Sequence, residues 1–349
     1  MPRLRRIDCS GPGILRRRRG RGFEYLDHAG NRIDDGEVLL RIKQLGIPPA
    51  WSDVWVCPHP NGHLQAVGTD AAGRRQYIYH LSWRVRRDQE KFDHMLEFAR
   101  ALPAMRAVWD EHLKQPDLSY ERVLACSARL LDRGFFRIGT EGYAEQNQTY
   151  GLATIQKRHV QLDESVLTFD YVAKSGKRRI QSIVDPDVFE VVSLLKRRRS
   201  GPSDLLAFKE GRLWHDVRSG DINEYIRNIA QDDFTAKDFR TWGATVLAAV
   251  GVAVSGEAAK SKTARKRAIT RAVQEVSHYL GNTPAVCRSS YIDPRVFDRY
   301  RSGWTISGAL DHIGNVTSIG EPSTQGYVEE AVIDLIEERR DSEAVEKIA

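Results

Sequence analysis

The chain has 349 residues, of which 41% are hydrophobic and 29% are charged. This balance is typical of a folded globular protein, and it excludes a disordered, a collagen-like and a membrane-embedded chain. Lysine and arginine number 53 against 47 aspartates and glutamates, so the formal charge of +6 is compatible with a polyanionic partner. The length predicts two domains, each large enough for its own core.

The first 22 residues are rich in arginine, with eight arginines and Asp8 as the one acid. This composition fits a flexible, solvated head, and it also fits a basic arm held to phosphates. From residue 22 to residue 79, short strand-like runs alternate with turn residues such as Asn61-Gly62, and a helix is predicted over residues 37–45. We therefore predict a small β-rich N-terminal domain over residues 1–88.

The apolar residues recur at helical spacing from residue 82 onward. A β interruption is predicted between residues 152 and 184. Helices are predicted over residues 188–199, 222–229, 240–250, 263–280 and 327–340. The fold class is therefore predicted to be α+β, with a larger, mainly helical domain with a small β-sheet over residues 89–349 and a boundary in the charged stretch 84–91.

Several kinds of site and of cellular location are disfavoured by the sequence. The nearest approach to a P-loop, residues 251–256, continues with Glu257 where a lysine is required, which argues against ATP hydrolysis. The four cysteines are far apart and form no zinc motif or redox pair. The longest apolar run, residues 246–254, is shorter than the ~20 residues that span a bilayer, and the N-terminus lacks the apolar core of a secretion signal. We expect a cytoplasmic protein without a cofactor, although the paired acids Asp34-Asp35 and Asp232-Asp233 leave a two-metal nuclease open as an alternative.

Two arginines stand in contexts that favour an anion. Arg137 follows an apolar helix within the run Phe-Phe-Arg-Ile-Gly, so its guanidinium should be partly buried and in need of an anionic partner. Asp132 is the acid nearest to it in sequence, and a structural ion pair between the two is the alternative. Arg240 follows Asp238, a plausible helix N-cap, which would place Arg240 beside the first-turn amides as part of an anion site.

Three further residues have ordinary structural interpretations when each is taken alone. Lys174 lies in a Lys-Ser-Gly-Lys turn between two strand-like runs, where a lysine is usually solvated but could reach a phosphate or a leaving oxygen. Asn282 follows Gly281, which is predicted to end a helix as a left-handed cap. Tyr291 lies in Ser-Ser-Tyr-Ile-Asp-Pro, where the ordinary structural interpretation is a packed aromatic ring whose hydroxyl group is hydrogen-bonded.

The order of these residues is more specific, and it resembles the type IB DNA topoisomerases, in particular their small viral and bacterial branch. The resemblance covers most of residues 22–300. It is carried by Arg137-Ile138-Gly139, residues 143–152 (YAEQNQTYGL), Lys174-Ser175-Gly176, residues 237–243 (KDFRTWG), Tyr291 and residues 73–79 (GRRQYIY).

This resemblance implies a DNA topoisomerase that relaxes positive and negative supercoils through a 3′-phosphotyrosyl intermediate, without ATP or an essential metal. It implies a monomer whose two domains clamp duplex DNA, acting in the nucleoid of the cytoplasm. The implied nucleophile is Tyr291, and the implied phosphate-activating residues are Arg137, Lys174, Arg240 and Asn282. The implied DNA-contact residues are Gln76, Tyr77, Tyr79 and Tyr143.

One position departs from the common family pattern, and two other functions stay open. Many members have histidine where this chain has Asn282, and an amide can donate a hydrogen bond but cannot relay a proton. A tyrosine recombinase has the same order of catalytic residues, Arg-Lys-Arg-Tyr, but it usually has His-x-x-Arg where this chain has Lys237-x-x-Arg240. A non-catalytic duplex-DNA-binding protein would use the same basic surface without needing Tyr291.

Overall fold

The structure, a computed structural model, describes residues 3–256, 261–310 and 324–348. The chain divides into two compact units, Met1–Asp93 and His94–Ala349. The boundary between them lies inside a long helix, Leu81–Leu113, which also contains the charged stretch 84–91. The domain boundary placed after residue 88 falls in the same helix and stays a prediction.

The first unit is built on an antiparallel sheet. Its strands are β1 (Ile14–Arg19), β2 (Gly22–Leu26), β3 (Ser52–Val56), β4 (Leu64–Thr69) and β5 (Arg75–Tyr79). Their order in the sheet is β2-β1-β3-β4-β5. Helix α1 (Gly36–Gln44) begins after Asp35, whose carboxylate accepts hydrogen bonds from two backbone N–H groups of the first turn. The helix predicted over residues 37–45 is therefore confirmed.

The sheet of the first unit buries apolar side chains on both faces. Because successive strand residues point to opposite faces, Val54 and Val56 pack with Ile42 of α1, whereas Trp55 packs on the other side. Ile7, from the start of the chain, packs against the cluster that contains Trp55. The N-terminal segment is therefore part of the core of this unit.

The flexible head predicted over residues 1–22 is wrong for residues 14–19, which form strand β1. Arg16 donates hydrogen bonds to two backbone carbonyls that lie 32 and 35 residues further along the chain, at 3.1 and 2.6 Å. Arg17 pairs with Glu24, directly opposite on β2, at 2.7 Å. Composition alone indicated solvated arginines, because it does not show that oxygen atoms from other segments of the chain accept hydrogen bonds from Arg16 and Arg17.

The second unit combines helices with small sheets. Its helices are α2 (Leu81–Leu113, which begins in the first unit), α3 (Tyr120–Gly134), α4 (Glu141–Asn147), α5 (Pro186–Arg197), α6 (Ser219–Ala230), α7 (Ala236–Val254), α8 (Lys262–Leu280), α9 (Pro284–Ser290), α10 (Pro294–Arg301) and α11 (Tyr327–Ile336). Strands β6 (Val160–Asp163), β7 (Val166–Ala173) and β8 (Lys177–Val184) form an antiparallel sheet in that order. The second unit also contains two separate two-stranded sheets: β9 (Ala207–Glu210) with β10 (Leu213–Asp216), and β11 (Trp304–Thr305) with β12 (Glu346–Lys347).

The α+β class is confirmed by this architecture, and so is the β interruption between residues 152 and 184. The β9–β10 hairpin, the β11–β12 pair and helices α4, α9 and α10 were not predicted. Within the described ranges, no helix combines the length and the apolar character needed to cross a bilayer. The four cysteines form no disulfide, and Cys57, Cys126 and Cys287 are buried.

A buried ion network joins α11 to three other helices. Glu329 of α11 is 9% exposed and accepts hydrogen bonds from Arg106 of α2 at 2.5 and 2.9 Å and from Trp242 Nε1 of α7 at 2.8 Å. Arg106 also donates to both carboxylate oxygens of Asp132 in α3, at 3.0 and 2.9 Å. Asp132 is therefore engaged by Arg106, and the alternative of a structural Asp132–Arg137 ion pair is wrong.

We expect Glu329→Gln to lower the free energy of unfolding by about 2–3 kcal/mol, because a charged acceptor of several buried hydrogen bonds is lost. The neighbouring Glu330, which is exposed, provides the matched control as Glu330→Gln. Urea denaturation followed by tryptophan fluorescence measures both variants. Equal midpoints for the two variants would show that the Glu329 network does not stabilise the fold.

Candidate active site

The end of α8 positions the residues around which the site is built. Gly281 directly follows the helix with φ +63°, a left-handed conformation that glycine adopts without steric cost. Its N–H donates to His278 O at 3.1 Å, and the N–H of Asn282 donates to Ser277 O at 3.1 Å. The predicted glycine cap is confirmed, and Asn282 lies immediately beyond the helix end.

Three arginines from separate segments donate hydrogen bonds to the last backbone carbonyls of this helix and to the carbonyl of Gly281, which follows it. Arg179 comes from β8, Arg240 from α7, and Arg137 from the segment after α3. The hydrogen bonds run from Arg179 to His278 O (2.8 Å) and Tyr279 O, from Arg240 Nη2 to Leu280 O (2.9 Å), and from Arg137 Nη2 to Gly281 O (3.0 Å). The last carbonyls of a helix lack acceptor partners within the helix and carry the negative end of its dipole, so they attract cations.

The acceptors of these arginines are neutral oxygens rather than carboxylates. Besides the carbonyls of α8, Arg137 donates to Asn282 Oδ1 and Arg240 donates to Phe135 O. Among the described residues, none of the three arginines forms an ion pair with an acid. A carboxylate would neutralise a guanidinium and repel an approaching anion. The site therefore carries three guanidinium charges that no acid among the described residues neutralises, a setting that suits a phosphate, the anion that arginine binds through several donors at once.

Arg240 lies deeper in the protein than the sequence suggested. It is 4% exposed, and burial lowers its pKa to about 10, so it remains cationic at neutral pH. The N-cap of α7 is Thr235, which forms a reciprocal capping box with Asp238. Arg240 is therefore the fifth residue of a helix that begins at Ala236, and the predicted anion site of Arg240 with first-turn amides is wrong.

Tyr291 follows α9 and lies beside Arg240, whose guanidinium carbon is 5.3 Å from the centre of the phenol ring. The backbone holds it in place, because its N–H donates to Cys287 O at 3.0 Å and its carbonyl accepts from Thr245 of α7 at 3.3 Å. Burial acts to raise the pKa of the phenol. The charge and hydrogen bonding of Arg240, the Asn282 amide and the charge of Arg137 outweigh burial, so the Tyr291 pKa lies below its usual value of 10.

A second tyrosine near the same arginines has the opposite shift. Tyr171 of β7 is 5% exposed, and its hydroxyl donates to Gln181 at 2.9 Å. Burial raises its pKa to about 12, although Arg179, Arg240 and Arg137 act in the other direction. Of the two phenols, Tyr291 is thus the one whose environment favours ionisation.

Asn282 supplies a further donor. Its Oδ1 atom is taken by Arg137, whereas its Nδ2 atom is buried and makes no hydrogen bond of normal geometry in the described part of the chain. A buried donor that lacks a hydrogen bond of normal geometry is costly, and a phosphoryl oxygen is a suitable acceptor for it. Asn282 therefore has the chemistry of an oxygen-stabilising group, without the proton relay that histidine could provide.

Lys174 is the predicted catalytic residue that the structure does not bring into this cluster. It begins the turn between β7 and β8, where Ser175 and Gly176 have φ values of +67° and +70°. The side chain is exposed, and no hydrogen bond or ion pair between described residues connects it to Arg137, Arg240 or Tyr291. The structure thus brings together four of the five predicted catalytic residues.

The predicted DNA-contact residues lie in both units. Tyr77 and Tyr79 share one face of β5, are 46% and 39% exposed, and have stacked rings 6.2 Å apart. Gln76 points to the opposite face and donates to Asp70 at 2.9 Å. Tyr143, in α4 of the second unit, is 55% exposed. Exposed aromatic rings are suited to contact nucleic acid, and the contacts themselves stay predictions.

Arg179 and Tyr171 belong to the site but were not selected from the sequence. Arg179 stands in the run Lys177-Arg178-Arg179, which reads as a solvated basic turn. Strand alternation was the signal that could have separated Arg178 from Arg179, because neighbouring strand residues point to opposite faces. Tyr171 lies in an alternating strand pattern that indicated burial but gave no indication of nearby arginines.

We expect Arg240→Gln to raise the pKa of the Tyr291 phenol, because the charge of Arg240 is the strongest influence that lowers it. The measurement is a ¹³C NMR titration of ring-labelled tyrosine, with the Tyr291 signal assigned by its loss in Tyr291→Phe. Arg178→Gln removes an exposed arginine that pairs with Asp170 and is the matched control. A Tyr291 pKa that does not change in Arg240→Gln would contradict this account of the site.

The chain is similar to known proteins along most of its length. Residues 80–309 match the family described as "Eukaryotic DNA topoisomerase I, catalytic core", and residues 22–70 match "Bacterial DNA topoisomerase IB, N-terminal domain". The DNA topoisomerase 1B of Acanthamoeba polyphaga mimivirus is 29% identical over 295 residues, which are 83% of this chain and 88% of that protein. The DNA topoisomerase 1B of Vaccinia virus (strain Copenhagen) is 22% identical over 270 residues, 76% of this chain and 82% of the viral protein.

A further relative is a much longer protein than this chain. The DNA topoisomerase 1 of Mycosarcoma maydis is 22% identical over 280 residues, which are 70% of this chain but 26% of that protein. The catalytic-core family matches well over half of the chain, and it includes every residue of the arginine and tyrosine cluster. The chain therefore belongs to the type IB DNA topoisomerases, combining a catalytic core of the eukaryotic type with an N-terminal domain of the bacterial type, and it is a type I topoisomerase.

Proposed function

We propose that the protein relaxes positively and negatively supercoiled DNA by cutting and rejoining one strand through a 3′-phosphotyrosyl bond to Tyr291. The proposal is carried by one observation: a phenol with a lowered pKa lies beside Arg240 and Arg137, whose charges no acid neutralises in the described residues. A phenol that ionises readily is a nucleophile, and two guanidiniums are a binding site for the phosphate it attacks.

The reaction exchanges one phosphate ester for another. The phenol of Tyr291 loses its proton to water, and its oxygen forms a bond to phosphorus as the bond from phosphorus to the 5′ oxygen breaks. The 5′ oxygen takes up a proton and leaves as a hydroxyl. Torsional strain then turns the DNA about the intact strand. Religation reverses the step, with the 5′ hydroxyl displacing the phenol. Because the ester energy is kept in the protein–DNA bond, neither step needs a nucleotide.

In the transition state, negative charge grows on the nonbridging phosphate oxygens. We assign its stabilisation to Arg137, Arg240 and the Nδ2 donor of Asn282, and by analogy with oxyanion donors the loss of one such group slows the reaction by about 10²–10³. Lys174 is assigned as the general acid that protonates the 5′ oxygen. Its exposed position at a hairpin tip fits this role if DNA binding brings the tip to the phosphate.

The substrate is proposed to be duplex DNA, bound by a monomer that closes around it and works in the nucleoid of the cytoplasm. Residues 1–88 would contribute the clamp, with contacts from Gln76, Tyr77 and Tyr79, and residues 89–349 the catalytic domain, with a contact from Tyr143. The exposed rings and the many arginines predict affinity that is dominated by phosphate contacts and falls steeply with salt.

The test is plasmid relaxation in EDTA without ATP. We expect the protein to relax both negatively and positively supercoiled plasmids under these conditions. An absolute requirement for Mg²⁺ would contradict the proposal and indicate a metal-dependent mechanism. Products recombined between two plasmids would instead favour the recombinase alternative.

A further inference from the structure

The hairpin that carries Lys174 is held at few points near its tip. The last ladder pair before the turn joins Ala173 to Lys177, and residues 174–178 form no hydrogen bond or ion pair with a described residue outside the hairpin. The next residues of the hairpin are tied to the rest of the unit by the backbone bond from Tyr150 N to Val172 O at 2.8 Å, by the stacking of Tyr171 on Phe136 and by the bond from Gln181 to Gly134 O. Arg179 adds the contact with the end of α8.

Arg179 connects this hairpin to the end of α8. It stands opposite Tyr171 in the ladder, and its guanidinium donates to the carbonyls of His278 and Tyr279. The same side chain packs on Gly281, where an added Cβ would lie 3.2 Å from Arg179 Cδ and Nη1. Glycine at this position thus serves both the helix cap and the close approach of Arg179.

The contact of Arg179 connects the Lys174 turn to the end of α8. Arg179 lies two residues along the strand from Lys177, which pairs with Ala173 next to the turn, and this separation is roughly 7 Å. On its other side it holds the turn of α8 that leads into Asn282. A hairpin released at this point could displace Lys174 by more than an ångström, and a misplacement of about 1 Å can slow a reaction by about 10²-fold.

We propose that Arg179 is a positioning residue that couples the Lys174 hairpin to the C-terminal turn of α8. Through this coupling, Lys174 reaches the 5′ oxygen of the same phosphate whose nonbridging oxygens are held by Asn282 and Arg137. The inference rests on the function proposed above and adds to it a residue that touches neither the phosphate nor the leaving oxygen.

Leaving-group chemistry separates this role from others. A 5′ oxygen leaves as a strongly basic alkoxide unless it is protonated, whereas a 5′ sulfur leaves as a far less basic thiolate that needs no general acid. A variant that is slow because Lys174 is misplaced should therefore recover on a DNA with sulfur at the 5′ bridging position. A variant that is slow because phosphate activation or folding is impaired should not recover.

The experiment measures single-turnover cleavage of two duplexes that carry a mapped cleavage site, one with a 5′ bridging oxygen and one with sulfur. We expect Arg179→Gln to be about 10–100-fold slower than the unaltered protein on the oxygen duplex. On the sulfur duplex we expect the two rates to agree within about threefold, which also shows that the variant is folded. Arg178→Gln is the matched control, since Arg178 pairs with Asp170 inside the hairpin, and its rates should be unchanged.

Two outcomes for Arg179→Gln would overturn the inference. Equal slowing of Arg179→Gln on both duplexes would show that Arg179 acts on the phosphate or on stability, and an unaltered rate on oxygen would show that the contact is dispensable. Arg179→Lys keeps the charge but loses the planar guanidinium, so it should be slow on the oxygen duplex as well. If Lys174→Ala itself fails to recover on sulfur, the general-acid assignment of the proposed function is at fault rather than Arg179.

Discussion

Tyr291→Phe is expected to abolish both relaxation and the covalent protein–DNA adduct, while DNA affinity changes by no more than a few fold. The substitution removes one oxygen and leaves the ring beside Arg240, so the phosphate-binding cations stay in place. Affinity should persist because it is set mainly by contacts to the DNA backbone. Plasmid relaxation, denaturant trapping of the adduct and a gel-shift titration measure the three quantities.

Tyr171→Phe is the matched control for this prediction. Tyr171 lies near the same arginines, but burial raises its pKa to about 12 and its hydroxyl is bonded to Gln181. We expect this variant to relax plasmids and to form the adduct. Relaxation by Tyr291→Phe at the rate of the unaltered protein would exclude Tyr291 as the nucleophile.

Lys174→Ala is expected to slow strand cleavage by about 10²–10⁴, the range for the loss of a general acid. The loss should disappear when the 5′ bridging oxygen is replaced by sulfur, because a thiolate leaves without a proton. Single-turnover cleavage of the two duplexes gives the comparison. Lys177→Ala is the control, since Lys177 is exposed on the same hairpin and ends the ladder opposite Ala173.

Two results would refute the role of Lys174. Equal slowing on the oxygen duplex and the sulfur duplex would show that Lys174 stabilises charge on the nonbridging oxygens and does not protonate the leaving group. Equal slowing by Lys174→Ala and Lys177→Ala on the oxygen duplex would show that the hairpin acts through its overall charge.

The end of α8 explains how like charges are brought together without acids. Three guanidiniums repel one another, and a carboxylate placed among them would relieve the repulsion but weaken phosphate binding. Backbone carbonyls at a helix C-terminus attract the same cations through partial charges only. The cluster of Arg137, Arg179 and Arg240 therefore keeps most of its positive charge for the proposed phosphate.

Local patterns sufficed to predict the features that depend on neighbouring residues. The Gly281 cap, the Lys-Ser-Gly turn at Lys174 and the α+β class follow from turn residues and hydrophobic spacing, and the structure has all of them. The family resemblance then linked Arg137, Arg240 and Tyr291, which lie far apart in sequence. Spacing alone could not have shown that these residues meet at the end of α8.

Features that depend on which hydrogen bonds form in the fold could not be predicted. Thr235 and Asp238 are both good capping residues, and only the hydrogen bonds that Thr235 N and Oγ1 donate to the Asp238 carboxylate show that α7 begins before Asp238. Arg16 resembles a solvated residue until the carbonyls that accept its hydrogen bonds are known. Arg179 likewise gains its role from two carbonyls about a hundred residues away.

The central claim is that the Tyr291 oxygen becomes bonded to a DNA phosphorus, and mapping the trapped adduct tests it most directly. The complex is stopped with denaturant, digested with nuclease and protease, and analysed by tandem mass spectrometry. We expect a nucleotide joined through its 3′ phosphate to the peptide that contains Tyr291. A nucleotide on another residue such as Tyr171, or relaxation that proceeds with no adduct under any trapping condition, would contradict the account.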